Sequence, residues 1–319
     1  MSTTSGSPPP AALGLPRPVR GSWWLRALQA VVLIGAGYYL YRQIAPHWHE
    51  IRGRQLVWHP GALALGSAIV VLTLAVLLGA WITSLRWCAA RIGALDAAKV
   101  WFTSNLARFL PGGVWQFASL AVMSSRYGVS PTVTTATVLL EQVVLLLTGL
   151  AVVAVLTPAV LHAAWWQGAL IAGLVLGFLM LALPGGRIGR WLSRHIPSLS
   201  LVWSQLRAAQ LLVFFVILIA PWLLYGTAFR LLAIGLLGGE SPSWGFYVAA
   251  FTGSYLAGVI AVFAPAGLFV REAALISVLT PVLGGGDAVI LAIASRIWWT
   301  ALEIVSGIVV LALPSSPGA

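Results

Sequence analysis

The sequence predicts an all-α, polytopic membrane bundle: about six full spans plus two oppositely oriented re-entrant helical hairpins. Three observations carry that prediction. Of 319 residues, 60% are hydrophobic and only 8% charged, whereas a soluble domain carries about 25% charged residues. The runs 55–85, 163–186, 208–229 and 241–270 hold no Asp, Glu, Lys or Arg, and each is longer than the ~20 residues that cross a bilayer. Two apolar segments are broken at their middles, one by Pro111, Gly112 and Gly113 and the other by Pro265 and Gly267. A broken helix at membrane depth is tolerated only where its freed backbone groups meet protein or a water-filled cavity.

The elements follow in order. Residues 1–21 are rich in Ser, Pro and Gly and lack a signal-peptide cleavage pattern; they read as a disordered cytoplasmic tail. Residues 22–314 form one integral membrane domain. Its first helix, 22–41, has Trp23, Trp24 and Arg26 at one end and Tyr38, Tyr39 and Tyr41 at the other, an aromatic belt at each interface. The loop 42–60 carries Arg42, Arg52, Arg54 and three histidines. His47, His49 and His59 beside Glu50 read as an interfacial loop rather than a metal site. Span 62–85 ends at Arg86 and Arg91. Segment 99–127 is punctuated by Lys99, Arg108 and Arg126 and broken at Pro111. Span 131–157 contains Glu141, span 163–183 precedes a basic loop, and span 209–237 contains Pro221, a predicted kink, and Arg230. Segment 243–283 is broken at Pro265 and Gly267, and span 288–313 carries Arg296 and Glu303.

Charge sets the topology. Lys and Arg favour cytoplasmic loops, so Arg17, Arg20 and Arg26 place the N-terminus inside, as do Arg187, Arg190, Arg194 and Arg207 for their loop. The turns 158–162 and 238–242 have no Lys or Arg and fall outside. These placements agree if 99–127 enters and leaves from inside, 243–283 enters and leaves from outside, and the C-terminus is cytoplasmic. The loop 42–60 then lies outside against the rule. Residues 62–157 and 209–313 become inverted repeats, a plan that recurs in transporters. The net charge of +11 is thus a topology signal and does not indicate nucleic-acid binding. The single Cys88 excludes an internal disulfide and a multi-cysteine metal site. No Walker A, GxSxG or HExxH pattern is present, so neither an ATPase nor a familiar hydrolase is expected, and no cofactor.

Six charges fall in or beside the membrane-depth segments: Arg108, Glu141, Arg271, Glu272, Arg296 and Glu303. A lone charge at mid-bilayer costs about 2.5–3.5 kcal/mol on insertion scales. Two readings stand. Three arginines and three glutamates form ion pairs that hold the repeats together, or the arginines bind an anionic headgroup, for which a guanidinium's fixed charge and paired donors are suited. Arg296 and Glu303 are seven apart and share a helix face. The helix-break residues Pro111, Gly112, Gly113, Pro265 and Gly267 permit a sharp turn and close backbone approach.

The stretch Arg108-Phe-Leu-Pro-Gly-Gly113, the following Gly128-Val-Ser130, Glu141, Pro265-Ala-Gly267, Arg271-Glu272 and the late Arg296 resemble the flippase-like membrane domain. That domain is fused to lysylphosphatidylglycerol synthases and also stands alone in many bacterial and archaeal proteins. The resemblance covers about residues 22–313 and implies an all-helical bundle with two re-entrant hairpins, moving a lipid between leaflets. Two features depart from the family: no aminoacyltransferase domain follows the last span, and the second break lacks the glycines of the family's Pro-x-Gly-Gly-x-Gly. The expectation is a plasma (inner) membrane translocase, not an enzyme, that moves an anionic lipid or a polyprenyl-phosphate-linked intermediate without ATP. The alternative is an accessory subunit that binds and stabilises a lipid-modifying enzyme or glycosyltransferase.

Overall fold

The structure is a computed structural model. It describes residues 23–109, 115–157, 207–238, 242–261 and 267–314. The tail 1–21, the span 163–183, the loop arginines Arg187, Arg190 and Arg194, and the break residues Pro111, Gly112, Gly113 and Pro265 lie outside the described residues.

Among the described residues the regular structure is entirely helical: α1 Trp23–Ile44, α2 Trp48–Gly53, α3 Pro60–Trp87, α4 Ala94–Leu106, α5 Trp115–Ser125, α6 Pro131–Leu156, α7 Ala208–Leu237, α8 Trp244–Ile260, α9 Val270–Leu283 and α10 Gly285–Ala312, with short 3-10 turns at Ala45–His47 and Ala107–Phe109. Pro60 and Pro131 open α3 and α6, where a missing N–H costs nothing because the first-turn N–H groups lack intrahelical partners. The Ser243 side chain caps α8 by accepting from the Phe246 N–H at 3.3 Å. Gly284, at φ +83°, ends α9 and starts α10. α7 runs through Pro221 as one 30-residue helix; neighbouring helices re-satisfy the freed backbone groups in such positions.

Among the described residues four helices are long and apolar enough to cross a membrane: α3, α6, α7 and α10, at 28, 26, 30 and 28 residues. At 1.5 Å per residue they reach about 39–45 Å, against a hydrocarbon core of ~30 Å. α4, α5, α8 and α9 have 13, 11, 17 and 14 residues, or roughly 17–26 Å. The long helices turn large apolar side chains outward, among them Val216, Val305 and Ile308, each more than half exposed. Such an apolar exterior is the arrangement a lipid solvent selects, and in water it would be an aggregation liability.

α3 and α7 lie antiparallel along most of their length. The Val57 and His59 N–H groups donate to the Leu236 and Gly235 carbonyls at one end, and Trp87 packs edge-on against Phe214 at the other. Small residues allow this closeness: a Cβ on Gly235 would sit 2.6 Å from Leu63, and one on Gly226 would sit 2.5 Å from the Val248 Cα of α8. Close approach at small residues drives helix association in lipid, where burial of apolar area contributes little. Polar contacts add to it. Trp222 Nε1 of α7 donates to the Leu145 carbonyl and Thr148 Oγ1 of α6, both at 3.1 Å.

The arginine-rich loop 42–60 folds against the start of α10. The Glu50 carboxylate accepts from the Gly286 N–H at 2.9 Å, at the helix N-terminus where the dipole favours an anion. Arg54 grips Asp287 at 2.9 and 3.1 Å and donates to the Leu237 carbonyl at 3.3 Å. His47 lies so close over Gly285 that any side chain there would overlap its ring. Loop 42–60, the end of α7 and the α9–α10 turn therefore share one end of the bundle. At the other end, Lys99 Nζ donates to the Leu313 carbonyl at 2.7 Å, placing the start of α4 beside the end of α10.

Candidate functional site

The interior holds a cavity of about 390 Å³. Five of the six charges singled out in the sequence line it: Arg108 in the turn after α4, Glu141 midway along α6, Arg271 in the first turn of α9, and Arg296 and Glu303 on one face of α10. The sixth, Glu272, is buried behind them and pairs with Arg296 (Nε to Oε1, 3.7 Å). Gly267, of the break residues, also lines the cavity.

The charges are not equivalent. Arg108 is ion-paired with the buried Glu303, a contact that ties residues 62–157 to residues 209–313. Arg296 has Glu272. Arg271 and Glu272 are neighbours in sequence, and they face different partners: no carboxylate pairs with Arg271 among the described residues. Its guanidinium lies instead over the rings of Phe251 (4.6 Å) and Tyr255 (5.6 Å) of α8. The side chain is 8% exposed, and its Nη2 makes no hydrogen bond. Ring faces stabilise a cation through its charge and leave its N–H donors unused. Arg271 is thus a buried cation with donors to spare, at a cavity wall.

Local backbone geometry puts it there. Gly267 has φ +66° and Phe269 φ +68°, so the chain makes a left-handed turn immediately before α9. A non-glycine residue in this region carries about 1–3 kcal/mol of strain and often marks a functional turn. The turn presents the first residues of α9, whose N–H groups have no intrahelical acceptor. Gly267 packs on the Gly258 backbone: a Cβ on Gly267 would lie 2.8 Å from Gly258 Cα. The end of α8 and the start of α9 therefore touch main chain to main chain, which positions Arg271 over the α8 aromatics.

Opposite, α4 and α5 are tied by Gln116 Nε2 donating to Asn105 Oδ1, and both residues line the cavity. Gln116 follows the first break as Arg271 follows the second, so a neutral amide stands at one break and a guanidinium at the other. Glu141, 8% exposed, forms no ion pair among the described residues.

Sequence reasoning missed the aromatic half of the wall. Trp222, Tyr225, Phe251 and Tyr255 line the cavity; within apolar runs their pattern is that of packing residues, and only the isolated tyrosine hydroxyls of spans 209–237 and 243–283 hint at a polar surface. Of the adjacent Trp298 and Trp299 on α10, Trp299 reaches the cavity, while Trp298 packs on Gly66 and donates to Ser67 Oγ at 3.1 Å. Arg230, the charge within span 209–237, keeps its Nε buried. Among the described residues no group of three or more His, Cys, Asp and Glu that could hold an ion comes together.

No protein-family model matches the chain, and no curated protein matches it significantly.

Proposed function

We propose that the protein is a lipid translocase that carries an anionic headgroup through the cavity between leaflets, without ATP. One observation carries the reading. A cavity of about 390 Å³ within a bundle of membrane-length helices is lined by three guanidiniums, one of which, Arg271, has aromatic partners and unused donors. A phosphate or phosphodiester is the ligand those donors suit, since charge-assisted bonds to a guanidinium are the strong ones. Seven tryptophan, tyrosine and phenylalanine rings lining the same cavity suit the glycerol and upper acyl region of such a lipid.

In this reading α4–α5 and α8–α9 are the re-entrant hairpins. Their helices fall short of the hydrocarbon thickness, and residues at the ends of α4 and α8 and the starts of α5 and α9 line the cavity. The helices before and after each pair, α3 and α6 and then α7 and α10, frame the inverted repeats. Loop 42–60 is then extracytoplasmic with the α9–α10 turn, and the C-terminus is cytoplasmic. The chain is an inner-membrane protein like the flippase-like domain it resembles.

The test uses vesicles of phosphatidylcholine doped with acyl-labelled phosphatidylglycerol, with and without purified protein. The label should change leaflets faster with protein than without it. Removing the charged donor of Arg271 costs about 1.5–3 kcal/mol, so Arg271→Ala should slow movement roughly ten- to a hundred-fold. Rates no higher than in empty vesicles, or equal rates for wild type, Arg271→Ala and Arg296→Ala, would overturn the reading. Stoichiometric recovery of one lipid enzyme with an inactive chain would favour the accessory-subunit alternative.

A further inference from the structure

We propose that Glu141 is a proton-binding site that couples the passage of one anionic headgroup to the passage of one proton. The inference rests on the translocase reading and goes beyond it by naming the energy source. Its basis is the charge balance of the cavity. Arg108 is matched by Glu303 and Arg296 by Glu272. What remains is Arg271, held by rings, and Glu141, which has no cationic partner among the described residues.

Glu141 and Arg271 line the same cavity without touching as a pair, and with Glu141 ionised the charges of the empty lining, Glu272 behind it included, sum to zero. When a monoanion binds Arg271, its charge offsets the guanidinium and leaves Glu141 as an uncompensated buried carboxylate. Such a group takes up a proton rather than stay charged in an apolar surround. The loaded cavity therefore contains anion and proton together, and the unloaded cavity contains neither; both states are neutral. Ionisable groups in this position mark proton relays in membrane carriers. The proton comes from water on the face where the headgroup enters and returns to water on the face where it leaves.

The other groups on the helices around α6 do not supply this function. α5 has no titratable side chain, and α3 has only the exposed Arg86. α7 and α8 bring only the Tyr225 and Tyr255 hydroxyls to the cavity, neither of them a carboxylate; Arg230 of α7 and Tyr247 of α8 do not line it. Cys88, at the end of α3, packs in the apolar cluster with Ala136 and Leu140. Glu303 and Glu272 are committed to their arginines.

The experiment reconstitutes the full chain in phosphatidylcholine vesicles doped with acyl-labelled phosphatidylglycerol, imposes a pH difference across the membrane, and reads the final distribution of label between leaflets. With one-to-one coupling, the ratio of label between leaflets follows the proton ratio. A difference of one pH unit, acid outside, enriches the inner leaflet about tenfold. A change of membrane potential at equal pH leaves the label even. In Glu141→Gln the distribution is even under the same gradient, whatever its rate. Wild type that equilibrates the label evenly under the gradient overturns the coupling and leaves the translocase standing, and this arm needs no variant to fold. Glu141→Gln that concentrates the label as wild type does also overturns it. Wild type that moves no label overturns the translocase reading itself.

Discussion

Replacing Gly267 by alanine tests the joint that aims Arg271. Gly267 sits at φ +66°, where a Cβ costs about 1–2 kcal/mol. The new methyl would also lie 2.8 Å from Gly258 Cα and 3.0 Å from its carbonyl carbon and oxygen. These are main-chain atoms of α8, so relief requires the helix end to move, and overpacking of this kind costs about 1–3 kcal/mol. The sum is a loss of roughly 2–5 kcal/mol. Gly258→Ala, on the other side of the same contact, is the internal control. Its Cβ would meet Arg271 Cβ at 3.2 Å and Gly267 Cα at 3.5 Å, with no left-handed φ, and alanine gains about 1 kcal/mol over glycine in a helix, so its net effect is near zero. Gly267→Asn separates the two contributions, because asparagine tolerates the left-handed region and retains only the overlap. Equilibrium denaturation in detergent micelles gives the differences. If Gly267→Ala and Gly258→Ala unfold at the same denaturant concentration, the close main-chain crossing is wrong and the placement of Arg271 falls with it.

Two further predictions follow from the ion pairs. Glu303→Ala leaves Arg108 without its carboxylate and Arg108→Ala leaves Glu303 buried and unpaired; each single change should cost about 3–5 kcal/mol, while the double variant Arg108→Ala/Glu303→Ala should lose less than the sum, read as a coupling energy in a double-mutant cycle. At the loop 42–60, the His47 ring and then the Gly286 N–H hold the Glu50 carboxyl below its ordinary value of 4.5. A lowered folded value means that the carboxylate's stabilisation is complete above pH 4.5 and is lost as the pH falls below it through the folded value. Trp48 fluorescence should report α2 loosening from α10 over that acid range, and Glu50→Gln should flatten the response.

The sequence by itself determined the class of molecule and most of its elements. Hydropathy and length alone mark the spans that became α3, α6, α7 and α10, because a segment that crosses lipid must satisfy its own backbone and show an apolar surface along its whole length. The predicted ends differ from the observed ones by at most three residues, 62–85 against Pro60–Trp87 and 288–313 against Gly285–Ala312, since proline and glycine fix them locally. The six charges were legible for the same reason: an ionisable residue in an apolar run has few explanations.

Only the tertiary structure decided how those charges divide. Arg271 and Glu272 are adjacent and look like a pair, yet successive residues of a helix point about 100° apart, and each finds its partner on another element. Glu272 pairs with α10, while Arg271 lies on the aromatic face of α8. The pairing of Arg108 with Glu303 spans 195 residues, and no local pattern encodes it. The aromatic wall was invisible because Phe251 and Tyr255 have the same chemistry whether they pack against a leucine or a guanidinium. Which carboxylate is left without a cation among the described residues depends on where every other charge ends up. That is a property of the folded interior alone.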